Sequence, residues 1–200
     1  MSRVLVAGAT GLLGRAVCVR ARRHGCDVRA LVRPTSRGAN DLREFGCDIA
    51  VGDLKDANSL VDACRGIDVV VTTANSIQSR TPGDSLETVD LKGSLALLQA
   101  AMSAGVRRFI YTSVSPSLPS NNRFVRYKRQ VESTVRVSGL EWTVLQPTAF
   151  MEIHAGPPAG WDLIRGRARV AGSGSAPVGY ISIDDVAKFA PGLVFSKSFG

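Results

Sequence analysis

Seven residues near the start of the chain constrain its fold more than any other feature. They are Gly8-Ala9-Thr10-Gly11-Leu12-Leu13-Gly14, placed directly after the apolar run Val4-Leu5-Val6-Ala7. That run reads as a buried strand. Behind the glycines, Leu13, Ala16, Val17 and Ala21 recur at helical spacing, with Arg15, Arg22 and Arg23 facing outward. Glycines at a strand-to-helix turn do separate jobs: one allows the tight turn, one lets backbone approach a ligand, one lets helix and strand pack closely. The helix that opens there offers unpaired N–H groups and the positive end of its dipole to an anion.

The pattern then repeats. Val28–Val32, Asp48–Val51, Asp68–Val71, Arg108–Tyr111 and Trp142–Leu145 read as further strands. Helical spacing separates them around Ala57–Cys64, Gly83–Ala104 and Phe124–Val137, with Val89, Leu95, Leu98 and Met102 on the buried side of the second of these. Gly25 is placed to end the first helix in a left-handed cap, with His24 in its last turn. Alternating strands and helices predict an α/β fold, a doubly wound parallel sheet with right-handed crossovers. The apolar character of strands one, four and six suggests cover on both faces. After Pro147 the pattern loosens: a short helix near Trp161–Arg165, strand-like runs at Ala168–Ala171 and Val178–Ile181, and Ser182-Ile183-Asp184-Asp185 as the capped start of a last helix.

Composition removes several classes. A hydrophobic share of 44% and a charged share of 21% suit a globular core. No apolar run is long enough to span a membrane, and no membrane partner is expected. Met1-Ser2-Arg3 leads straight into the first strand without an apolar leader, which implies a cytoplasmic protein. Cys18, Cys26, Cys47 and Cys64 lack metal-ligand spacing, and His24 and His154 are the only histidines, so no metal site is expected and the thiols read as reduced and mostly buried. The net charge of +8 comes from scattered basic residues without interleaved aromatics, which speaks against nucleic acid as a partner.

The glycine loop therefore implies a dinucleotide pyrophosphate, with Gly8, Thr10, Gly11, Leu12, Leu13 and Gly14 as its candidate ligands. Nineteen residues past Gly14, where an NAD site carries an acid for the ribose hydroxyls, stands Arg33, and Arg37 comes after it. A guanidinium pairs with a 2′-phosphate where a carboxylate would repel it, so NADP(H) is favoured over NAD(H) as cofactor.

These features, with Gly52-Asp53-Leu54, Tyr111-Thr112-Ser113 and Gln146-Pro147-Thr148-Ala149-Phe150 in the same order, resemble the atypical short-chain dehydrogenase/reductases, and among them the NmrA-like NAD(P)H-binding proteins. The resemblance covers about residues 2–190. It implies a Rossmann-type sheet, with residues 1–150 as the NAD(P)-binding domain and 151–200 as a small substrate-side segment packed on it. It also implies that Asp53 and Leu54 lie near the adenine, and that Thr73, Ala74 and Asn75 run beside the cofactor ribose. Ser113 and Val114 would lie near the nicotinamide ribose, Lys128 would approach the ribose hydroxyls, and Pro147, Thr148 and Phe150 would flank the nicotinamide.

Two departures shape the functional expectation. The Tyr-x-x-x-Lys pattern of the usual short-chain dehydrogenases is broken, because the residue four before Lys128 is Phe124 and Tyr127 projects elsewhere on the helix. Lys128 is then a general acid, a cofactor anchor or an exposed lysine. The C-terminal lobe is also short compared with that group, which leaves an open pocket, a truncated sequence or a partner that closes it. Two readings stand. One is an NADPH-dependent reductase of a small carbonyl, quinone or conjugated acceptor lying over Phe150 and Met151, with Lys128 as its candidate catalytic residue. The other is a non-catalytic NADP(H)-sensing regulator or assembly factor whose protein partner reads the cofactor state. His154 reads as a surface histidine, and Asp184 and Asp185 as helix N-terminal acids.

Overall fold

The computed structural model describes residues 2–170, 172–175 and 177–195. Its centre is a parallel sheet of six strands: β1 (Arg3–Ala7), β2 (Asp27–Val32), β3 (Asp48–Val51), β4 (Val69–Thr72), β5 (Arg108–Thr112) and β6 (Glu141–Leu145). Their spatial order is β3-β2-β1-β4-β5-β6. The chain builds outward from β1 in one direction, returns to β4 on its other side, and continues outward. That reversal leaves a crevice beyond the carboxyl ends of β1 and β4, where open α/β sheets bind ligands.

Strand periodicity divides the core. Val4 and Val6 point into a cluster with Leu13, Val17 and Ala21 of α1 (Leu12–Arg23), while Leu5 and Ala7 point into the opposite cluster. The second cluster is closed by α3 (Ala57–Cys64), α4 (Ser94–Ser103) and α5 (Arg123–Arg136), through Leu60, Leu97, Leu98, Val131 and Val135 among others. Gly25 ends the α1 turn at φ +79, as its left-handed cap requires. A short α2 (Ala39–Glu44) precedes β3; it buries only Leu42, too little to leave a helical pattern. Beyond β6, β7 (Ala149–Phe150) pairs in parallel with β8 (Tyr180–Ile181). Between them lie α6 (Met151–His154) and a 3₁₀ turn at Pro157–Ala159. The last helix, α7 (Ile183–Phe195), is capped by Ser182 Oγ, which accepts from the N–H of Asp185 at 2.9 Å. It packs on α1 and adds Ile183, Val186 and Ala187 to the first cluster.

Several expectations are corrected. The helix expected over Gly83–Ala104 opens with a π-helical segment, Leu86–Gly93, before α4. A π turn advances the chain by an extra residue and so rotates the helical turns beyond it. Leu97 is fully buried beside Leu98, whereas Met102, in the last turn of α4, is 39% exposed. Strand six is the edge strand and only half-buried: Leu145 packs against the first cluster and Val144 against the second, while Glu141 and Trp142 are exposed. No helix forms at Trp161–Arg165. Asp162 Oδ1 accepts from the N–H of Arg165, a local bond that competes with helix, and Asp162 and Arg167 form an antiparallel bridge around Gly166 at φ +62. Ala168–Val170 is not strand, Ala171 lies outside the described residues, and the strand expected over Val178–Ile181 shortens to Tyr180–Ile181.

Candidate functional site

The crevice at the reversal of strand order is a cavity of about 870 Å³. Its floor is the glycine loop. Gly8 takes φ +79, and the N–H of Gly11 donates to its carbonyl at 3.0 Å. A Cβ on Gly8 would stand 2.7 Å from the backbone nitrogen of Ala74, and one on Gly14 only 2.1 Å from the carbonyl oxygen of Gly8. Thr73 locks the same turn from β4, its Oγ1 donating to the carbonyls of Ala7 and Gly8 at 3.2 and 3.4 Å. The helix α1 opens at Gly11 with no side-chain cap and no acid in its first turn. Its leading N–H groups have no partner within the helix. Thr10, Gly11, Leu12 and Leu13 line the cavity beside them, and Leu12 is 59% exposed. A cradle without side chains under uncapped N–H groups fits a pyrophosphate.

One end of the cavity is polar. Gly52, Asp53 and Leu54 line it after β3, together with Arg33 from the end of β2. Asp53 closes its own turn, Oδ1 accepting from the N–H of Lys55 at 2.9 Å. Arg33 Nη1 donates to Asp84 Oδ2 at 2.7 Å and to Thr81 Oγ1 at 3.0 Å. Asp84 is almost fully buried and also pairs with Lys55 Nζ and accepts from Ser79 Oγ. Arg37, expected beside Arg33, is exposed and does not line the cavity. A turn closed by the Ser36 N–H on the Arg33 carbonyl separates the two arginines.

The other end is apolar. Ala74 and Asn75 lead from the glycine loop along the wall, and Ser113, Val114, Pro147, Thr148 and Phe150 bound the far side. Leu118, Phe124, Ile153 and His154 complete it. Met151 is turned outward on α6 and is not part of the lining, which corrects its expected place under an acceptor. His154 is exposed, borders the cavity and pairs through Nδ1 with the Phe150 carbonyl at 3.2 Å.

Lys128 stands at the junction of the two ends and is 3% exposed, so the exposed-lysine reading falls. Its Nζ donates to the Thr112 carbonyl at 3.3 Å, lies 3.6 Å from Asp90 Oδ1, and packs over the rings of Tyr111 and Phe124. Burial pushes the ammonium below its ordinary pKa, while Asp90 and then Glu132 pull it back up. Phe124 thus fills with an apolar ring the position from which a tyrosine would face this lysine. Asp90 sits on the π-helical segment, and its Oδ2 accepts from both the N–H and Oγ of Ser76. Ser113 Oγ donates to the buried carboxylate of Glu132. Lys55, Ser79, Asp84, Asp90 and Glu132 were not legible as site residues. Asp90 and Glu132 fall within helical patterns, and Asp84 lies in a loop without periodicity.

Among the described residues no cluster of three or more His, Cys, Asp or Glu could hold a metal ion, and no helix is long and apolar enough to cross a membrane. The four cysteines are free thiols, all buried.

Comparison with known proteins adds a family. Residues 8–196 match the model of a family described as NAD(P)H-binding. The chain is 34% identical over 187 residues to the Photosystem II assembly factor Ycf39 of Cyanophora paradoxa, covering 93% of this chain and 57% of that protein. It is 29% identical to the NAD(P)H azoreductase of Xenophilus azovorans, over 74% of this chain and 49% of the other. The chain thus spans about half the length of these relatives. Among solved structures, the triphenylmethane reductase of a Citrobacter species complexed with NADP(H) superposes with a TM-score of 0.78 at 20% identity, over 99% of this chain and 67% of that one, a likeness of fold.

Proposed function

This chain belongs to the NAD(P)H-binding family, within the atypical short-chain dehydrogenase/reductase group, and on that premise we propose that it is an NADPH-dependent reductase of a small carbonyl, quinone or conjugated acceptor. The observation that carries the reading is the continuity of one cavity from the glycine cradle, past the buried ammonium of Lys128, to the apolar end at Phe150. Its volume lies within the ~300–1,000 Å³ of ligand pockets.

NADPH, when bound, supplies the hydride. Everything else is the work of the chain. Backbone N–H groups at Gly11–Gly14 receive the pyrophosphate, and Arg33 receives the 2′-phosphate, which gives preference for NADP(H) over NAD(H). Asp53 and Leu54 border the adenine, Thr73 to Asn75 the ribose, and Pro147, Thr148 and Phe150 the nicotinamide side. Phe124, Phe150 and Ile153 exclude water and hold a flat apolar acceptor. Lys128 Nζ is the proton store beside it; burial lowers its pKa, and Asp90 opposes that shift.

A second reading has its own support. Phe124 in place of a hydroxyl donor, and 34% identity to a photosystem assembly factor, favour a non-catalytic NADP(H)-binding protein whose partner is another polypeptide. One experiment separates the two. The purified chain is titrated with NADPH and NADH, then assayed for NADPH oxidation against quinones and ketones, beside Lys128→Ala. Turnover lost in the variant with NADPH affinity kept supports the reductase. Tight binding with no turnover on any acceptor replaces it with the binding protein.

A further inference from the structure

The polar end of the cavity holds a charge arrangement that pyrophosphate binding does not require. Asp84 has a side chain only 4% exposed, yet both of its oxygens are engaged by cations: Oδ1 by Lys55 Nζ and Oδ2 by Arg33 Nη1. Ser79 Oγ adds a third donor. Burial raises the cost of the carboxylate charge, but the bonds from Lys55 and Ser79 and the charges of Lys55 and Arg33 hold its pKa below the usual range. Lys55, Ser79 and Arg33 thus favour the anionic form of Asp84.

Its effect on Arg33 is geometric. Arg33 reaches Asp84 and Thr81 through the same nitrogen, Nη1. Neither bond uses the Nε–Nη2 edge, which is a two-donor edge suited to a phosphate. Arg33 lines the cavity and remains 40% exposed, so its position rests on these two bonds. Without the carboxylate, Arg33 and Lys55 would repel each other and both long side chains would gain freedom in solvent.

We infer that Asp84 is a positioning residue for cofactor choice: it pins Arg33 by one nitrogen and keeps the other edge of the guanidinium presented to the 2′-phosphate of NADP(H). Lys55, tied to the same carboxylate, does not line the cavity and serves only to hold Asp84 in place. The inference rests on the NADP(H) reading above and extends it to a residue that touches no phosphate itself. Asp84 faces the cavity from behind two cations, so its own repulsion of the ligand is offset while its hold on Arg33 is not.

The test is a double-mutant cycle on NADPH and NADH affinity, read by fluorescence or calorimetry on the whole chain. Arg33→Ala should weaken NADPH by about tenfold or more and leave NADH nearly unchanged, the scale of one lost charge-assisted pair. Asp84→Asn, which keeps shape and removes charge, should weaken NADPH by about three- to tenfold with NADH unchanged. Added to Arg33→Ala, it should cost nothing further, because it acts through Arg33. Unchanged NADH affinity is the control for folding. Asp84→Asn that leaves or raises the NADPH preference, or that costs as much again without Arg33, overturns the role of Asp84 while the NADP(H) reading survives. Equal affinity for both nucleotides in the unaltered chain, unmoved by Arg33→Ala, overturns the two together.

Discussion

Asp90 and Lys128 form a buried ion pair: Oδ1 and Nζ are 3.6 Å apart, with Asp90 fully buried and Lys128 3% exposed. Asp90 Oδ1 has no hydrogen-bond partner, so its interaction with the lysine is Coulombic, while Oδ2 is tied to Ser76. A pair of this kind is costly to desolvate and costlier to break, since the survivor is left as an uncompensated charge. Its presence beside the cavity, where an apolar pair would pack more cheaply, indicates that the charge of Lys128 is wanted there.

Asp90→Asn should therefore destabilise the chain by about 3–5 kcal/mol at neutral pH. The pH dependence gives the sign. Burial already lowers the folded pKa of Lys128, and loss of Asp90 lowers it further. The unfolded chain then binds the lysine proton more tightly than the folded chain, so stability rises with pH up to the unfolded value of about 10.4. Denaturant midpoints measured from neutral to alkaline pH should show Asp90→Asn recovering part of its deficit relative to the parent. Asp90→Asn/Lys128→Met, which has no ammonium to neutralise, should show no such recovery.

The glycine loop predicts a contrast between two substitutions. Gly14→Ala would drive a methyl group to 2.1 Å from the Gly8 carbonyl oxygen, and the backbone must shift because no flexible side chain is there to yield. A loss of about 1–3 kcal/mol is expected, with nucleotide affinity falling alongside it. Gly25→Ala meets nothing within 4 Å and suffers only from its φ of +79. Its cost should be about 1 kcal/mol, with NADPH affinity unchanged. Equal effects of the two on affinity would mean that the loop does not hold the nucleotide.

Legibility in the sequence tracks the reach of each interaction. The six strands were legible because each is a short apolar run between breakers, and parallel pairing with right-handed crossovers leaves few ways to order them. Gly8, Gly11 and Gly14 were legible because the geometry they serve is local. Arg33 was found from its distance past the loop, but its partner Asp84 lies 51 residues away, in a segment with no period to locate it. Arg37 follows Arg33 by four residues, but it is exposed and stands outside the cavity lining. Met102 continues the apolar repeat into the last turn of α4, where it is 39% exposed although Leu98, one turn earlier, is buried. Distant polar contacts and the exposure of helix ends are what periodicity does not carry.

Cys64 offers a test of burial within the second core cluster. Its thiol is pushed up from 9.0 to about 11 by burial, with Arg29 opposing. A thiol whose folded pKa is raised contributes stability that is complete below its unfolded value and is lost as pH climbs through the folded one. The window runs from about pH 9 to about pH 11. Cys64→Ala removes both the packing of the sulfur and this titration. The gap in stability between parent and variant should be widest near neutrality and should narrow across that window in denaturation measurements. A gap that stays constant would place the thiol in contact with water.

Ser113 and Glu132 decide what the wall of the cavity offers to a ligand. The hydroxyl of Ser113 has a single proton, and it goes to the Glu132 carboxylate, which also accepts from Gln146 Nε2 and pairs with Arg129. Toward the cavity, Ser113 can then present only lone pairs, which suits a ribose hydroxyl as donor. Glu132→Gln keeps the shape but removes the charge that fixes this orientation. Arg129 loses its carboxylate, so stability should fall by about 1–3 kcal/mol. The Ser113 hydroxyl becomes free to turn, and NADPH affinity should fall with it. Ser113→Ala in the Glu132→Gln background should then cost less affinity than it does in the parent chain. If the serine substitution costs the same in both, the carboxylate does not orient the hydroxyl, and the two residues act on the cavity independently.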